Sequence, residues 1–153
     1  MAIVKANYLP TRSPRVRHLA RSIRYYTWRG PAGGVGRLAA PRGWVCHGGR
    51  ALGWAAVRDN AREDARLYRY AYRLVLSTAA APLGVEDYAA TLGRRFARWY
   101  LVEHRDGTHP HAHVIAFTDR RLGRGDLAGQ RRRLAAREQA RLQARGQSSR
   151  GAG

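Results

Sequence analysis

A chain of 153 residues with 44% hydrophobic content is sized for one packed domain with a modest core. Its formal charge of +19, carried almost entirely by arginine, points to a polyanionic partner, nucleic acid first, because guanidinium forks match phosphate geometry. Cys46 is the only cysteine, which excludes an internal disulfide, and no apolar run reaches the ~20 residues of a membrane span, so a reducing cytoplasm is the expected compartment.

The first ten residues, MAIVKANYLP, lack the charged start and apolar core of a secretory signal and read as a strand over 2–9. Ser13-Pro14 is a helix start, with a capping side chain followed by proline at the first helical position. Val16, Leu19, Ile23 and Tyr26 recur at helical spacing and form one apolar face, which Gly30-Pro31 ends. Tyr25 falls on the opposite face, near His18, Arg21 and Ser22, so Tyr26 is expected in the core and Tyr25 outward.

Residues 30–53 are rich in glycine and proline and read as a long loop. Its Gly-Gly-Val-Gly run, 33–36, is a poor phosphate loop: no strand leads in and no Lys-Ser/Thr follows. A weak helical signal covers 51–66. Tyr68 to Ser77 alternates strictly, with Tyr68, Tyr70, Tyr72, Leu74 and Leu76 on one face and Arg69 and Arg73 on the other, the mark of a strand. The tyrosine stripe is expected in the core rather than stacked on bases. Val85, Tyr88, Leu92, Phe96 and Trp99 then form the apolar face of a further helix, with Glu86 and Asp87 in its first turn. Strands follow over 99–104 and 111–117, and a basic helix over 126–145. Ten arginines lie between Arg120 and Arg150. The predicted organisation is one domain over 1–145 and a disordered tail over 146–153.

Four of the six histidines, His104, His109, His111 and His113, fall within ten residues. On a strand, His111 and His113 point to the same face. The turn Arg105-Asp106-Gly107-Thr108 can fold back and bring His104 alongside them. Three imidazoles from adjacent strands make an open metal site that leaves positions for substrate, and without cysteine it is not a closed structural zinc site. His109 competes with His104 for the third place, since it shares a face with the other two if the strand starts early. Asp106 is the nearest carboxylate that can orient a ligand ring.

The run His104-x-Asp106-x-x-His109-Pro110-His111-x-His113 resembles the histidine motif of the HUH relaxases, the nicking enzymes of conjugative and mobilizable plasmids and of T-DNA borders. Tyr25-Tyr26-Thr27-Trp28-Arg29-Gly30 resembles their N-terminal tyrosine motif, and 68–82 resembles the strand and Leu-Ser segment that precede the histidines. The resemblance covers residues 2–120. It implies that His104, His111 and His113 hold Mg²⁺ or Mn²⁺ and that Tyr25 is the nucleophile, with Tyr26 and Tyr8 as the alternatives. It also implies a single-stranded DNA substrate at a transfer origin, handled together with accessory relaxosome proteins. Arg21, Arg24, Arg69 and Arg73 are the expected phosphate contacts. The expected fold is α+β, a central, mainly antiparallel sheet of about five strands with helices on one face and the metal and DNA on the other.

Overall fold

The computed structural model describes residues 2–30, 36–106 and 109–152. Its centre is a six-stranded antiparallel sheet in the order β1-β4-β6-β5-β2-β3. The strands are β1 (Ala2–Pro10), β2 (Trp44–Cys46), β3 (Ala51–Leu52), β4 (Tyr70–Thr78), β5 (Arg98–His104) and β6 (His111–Thr118). Four α-helices accompany them: α1 (His18–Trp28), entered through a 3₁₀ turn at Pro14–Arg17, α2 (Trp54–Leu67), α3 (Val85–Leu92) and α4 (Arg124–Arg150). The α+β class and the antiparallel pairing are as expected.

The helices lie on both faces of the sheet, not one. On one side Leu74, Leu76, Leu101 and Val114 pack with Tyr88 and Leu92 of α3 and Leu134 of α4. On the other, Ile115, Phe117 and Val102 pack with Leu19 and Ile23 of α1 and Val57 of α2. The cause is legible in β6: Val114-Ile115-Ala116-Phe117 is apolar on both faces, and a strand buried on both faces must be covered twice. The fifth and sixth strands in the sheet order, β2 and β3, lie inside the Gly/Pro-rich segment. They have three and two residues, too short to show any alternation.

Two helix boundaries differ from the expected ones. The periodic face from Val85 to Trp99 breaks at Gly93, whose φ of 57° ends α3 at Leu92. Phe96 and Trp99 still join the same core, Phe96 from the connecting loop and Trp99 from β5. The basic helix begins at Arg124 and runs to Arg150, so 146–150 is helical rather than a disordered tail. Tyr72, Leu74 and Leu76 are buried as expected, but Tyr68 precedes β4 and packs against the opposite core. Of the 33–36 run, residues 33–35 lie outside the described residues.

Asp87 locks α3 to α4. Its side chain is 1% exposed, accepts hydrogen bonds from the Gly84 N–H and forms ion pairs with Arg137 and Arg141 at 2.8 and 3.0 Å. Burial alone would raise its carboxyl, but the Gly84 N–H and the two arginines outweigh it and hold it below the usual range. Asp87→Ala should therefore lower stability by about 2–4 kcal/mol in urea unfolding, through an orphaned N–H and two stranded guanidinium groups. A loss under about 0.5 kcal/mol would mean the pairs contribute no more than solvent-exposed ones.

Candidate metal centre

The β5–β6 pairing builds the site. His104 lies directly opposite His111, and His113 is two residues further along β6, opposite Val102. Same-face alternation then turns all three rings to the α1 side of the sheet. One ligand nitrogen from each lies within 4.8 Å of the others, so the three can hold a metal ion. Nε2 of His111 and Nε2 of His113 are 3.1 Å apart. Two metal–nitrogen bonds of about 2.1 Å meeting near a right angle require about that separation.

Hydrogen bonds fix which nitrogen each ring can offer. The His109 carbonyl can only accept, so Nδ1 of His111, 2.9 Å away, donates to it and Nε2 is left bare. Nε2 of His104 donates in the same way to the Tyr26 carbonyl at 2.8 Å, near the C-terminal end of α1, which leaves Nδ1 as its bare nitrogen. His113 keeps a buried Nδ1 with no partner among the described residues. Burial, followed by the Arg42 guanidinium, lowers His104 to about 4. Burial, followed by the other two histidines, lowers His113 to about 3. Neutral imidazole is the form a cation needs.

These shifts give a stability prediction. The unfolded histidines take a proton near 6.5, the folded ones only near 4 and 3. Between those values the unfolded chain binds more protons, so acid favours unfolding and the contribution is complete only above pH 6.5. In EDTA the urea midpoint should fall from pH 6.5 downward, before the carboxylates titrate, and His113→Asn should flatten that fall. An unchanged slope in the variant would remove the histidines as its source.

His109 is exposed, and it serves His111 through its carbonyl rather than as a ligand. Asp106 orients no histidine ring. Both its oxygens accept from Arg42, at 2.9 and 2.7 Å, and this ion pair holds its carboxyl below the usual range. Nη1 of Arg42 also donates to the Tyr26 and Arg29 carbonyls. One guanidinium thus ties the end of α1 to the turn after His104. Only Arg105 and Asp106 of that turn are described; Gly107 and Thr108 lie outside the described residues. Arg42 sits in the segment read as a featureless loop, and no local pattern marks it.

Of the two candidate tyrosines on α1, Tyr26 is the one that meets the histidines. The Tyr26 ring stacks on His113, with centroids 4.0 Å apart and planes within 12°. Tyr26 is partly buried, as its place on the apolar face requires, and that burial raises its phenol above the ordinary range. Tyr25 is 55% exposed, 6.1 Å from Tyr26 by ring centroids, with the Arg29 guanidinium 5.6 Å from its own ring centre. Arg24 lines the same hollow as Tyr25. The ring of Tyr8 belongs to an aromatic group with Tyr70 and Tyr72, and the residue also lines a cavity along α1.

Along the flank of α1 runs a cavity of about 540 Å³ whose lining includes Asn7, Tyr8, His18, Arg21, Ser22 and Arg73. Arg73 faces it from β4, two residues before Val75, which pairs with His113. Its Nη1 donates to Ser22 at 3.1 Å, and its buried Nε has no partner among the described residues. Arg69 is not part of this surface. It precedes β4 at the far end of the sheet, eight residues from Ser77, which pairs with His111, or about 27 Å along a strand.

No helix among the described residues is long and apolar enough to cross a membrane. No protein-family model, curated protein or solved structure matches this chain.

Proposed function

We propose that this chain is a metal-dependent single-strand DNA nickase of the relaxase type, which cuts and rejoins one strand at a transfer origin. The observation that carries the reading is the convergence of three imidazoles on the sheet face where Tyr26 of α1 stacks on His113 and where Arg73 lines a cavity. The resemblance of the histidine and tyrosine motifs to those of relaxases supports it further. His104, His111 and His113 would hold Mg²⁺ or Mn²⁺, which when bound withdraws charge from the scissile phosphate.

Tyr25 is the nucleophile in this reading. It is the exposed phenol, and arginines surround it. Tyr26 packs His113 in place and is a positioning residue. Attack forms a bond from Tyr25 Oη to phosphorus and breaks the bond to the 3′ oxygen, which takes up the proton the phenol loses. The products are a 5′-phosphotyrosine and a free 3′-OH, and because a phosphodiester replaces a phosphodiester the step reverses. Arg21, Arg24 and Arg73 hold the flanking phosphates. The reaction belongs in the cytoplasm, with accessory proteins that open the duplex.

The rival reading is a basic nucleic-acid-binding protein that keeps the fold without cutting. One observation favours it: the tyrosine stacked on His113 is the half-buried Tyr26, while the exposed Tyr25 packs against Tyr26 and Arg29. The test is a denaturing gel of the protein with single-stranded transfer-origin DNA and Mn²⁺. A covalent protein–DNA band that EDTA abolishes supports the nickase. Tight binding with a filled metal site and no covalent species supports the rival.

A further inference from the structure

Helix α1 is a ridge with a groove on each flank. The groove described above is lined from α1 by His18, Arg21 and Ser22. The other lies between α1 and α2, turned away from the metal centre. Its cavity of about 330 Å³ has an apolar floor, made by Val16, Leu19, Ala20, Ala61 and Ala65. Four arginines form the rim: Arg17 from the 3₁₀ turn, and Arg58, Arg62 and Arg66 from α2. The three on α2 are four residues apart, so they stand in one row above the cavity. Past Thr11, Ala65 and Arg66 the groove continues into a second hollow of about 680 Å³, lined by Arg12 and Arg69 together with one acid, Asp119.

Two of the four rim arginines are paired with acids and two are not. Arg58 pairs with Asp59 at 3.1 Å, and Arg66 with Glu63 at 3.6 Å through side chains that are both largely exposed. Arg17 and Arg62 have no ion pair among the described residues. A row of guanidinium groups over an apolar trough matches a ligand with regularly spaced negative charges and flat apolar bodies between them. A duplex offers the charges but keeps its bases stacked inside. An unpaired strand offers both.

We infer that the α1–α2 groove is a second nucleic-acid site, which holds an unpaired strand with its bases on the Val16–Ala65 floor and its phosphates on Arg17, Arg58, Arg62 and Arg66. It needs no metal, and it lies on the opposite flank of α1 from the strand to be cut. The protein therefore has room for two separate lengths of single strand.

The test is fluorescence anisotropy with a labelled oligothymidylate in EDTA, where no cutting interferes. Arg58→Ser/Arg62→Ser/Arg66→Ser should weaken binding by about tenfold or more and reduce the slope of log affinity against log salt by about 2, from three contacts at about 0.7 each. Removing the same charge from α4, with Arg124→Ser/Arg145→Ser/Arg150→Ser, should weaken binding by less than a third as much. Ala65→Phe keeps every charge but fills the trough, and should weaken binding with the salt slope unchanged. Equal losses from the two arginine triples, or full affinity in Ala65→Phe, would reduce the groove to a share of the general positive surface and overturn the inference. Because every reading is taken without metal, failure here leaves the nicking reaction untouched, and absence of nicking leaves this site untouched.

Discussion

Tyr25→Phe should give no covalent protein–DNA species, a loss of at least about 10³-fold against wild type, while single-strand affinity in EDTA changes less than about threefold. The substitution removes one oxygen from a half-exposed ring, so neither the fold nor the groove is disturbed. Tyr26→Phe is the informative partner. Its ring still stacks on His113, so the adduct should persist at a reduced rate. The reverse outcome, with Tyr25→Phe active and Tyr26→Phe dead, would move the nucleophile to the phenol that touches the ligand ring.

The second large effect concerns the cation. His113→Ala should lower Mn²⁺ affinity by more than about 100-fold, because a ligand is lost outright where even its supporting groups are worth 10–100-fold. Titration calorimetry on the wild type should give one site per chain. His104→Ala and His111→Ala should have comparable effects, since the three nitrogens form one set. His109→Ala should matter much less, because its contribution is a backbone carbonyl that alanine also supplies. Equal losses from all four substitutions would point to a general histidine patch instead.

The sequence made the site more legible than the fold around it. The His104–His113 spacing is local, and pairing of β5 with β6 turns local spacing into geometry, so the face shared by the three histidines followed from strand alternation alone. The split between Tyr25 and Tyr26 followed from helical periodicity for the same reason. What failed depended on distant partners. Asp106 looked like a ligand-orienting carboxylate because it is near the histidines in sequence, yet Arg42, 64 residues away, claims it. Arg69 looked equivalent to Arg73 because of the alternation, but the strand begins one residue later and the two belong to different surfaces. The second helical layer was missed because Arg73 made that face of β4 look solvated. On that face Arg73, Val75 and Ser77 are partly exposed, while α1 and α2 pack over Ala71, Ile115, Phe117 and Val102.

Everything proposed for catalysis requires one cation held by three imidazoles within reach of an α1 phenol. Crystals soaked in Mn²⁺ and measured for anomalous scattering test that requirement most directly. The account predicts a single peak about 2.1 Å from one nitrogen of each of His104, His111 and His113, on the side of the sheet that α1 covers. A peak held by other residues, or none at all with the trio ordered, would contradict it.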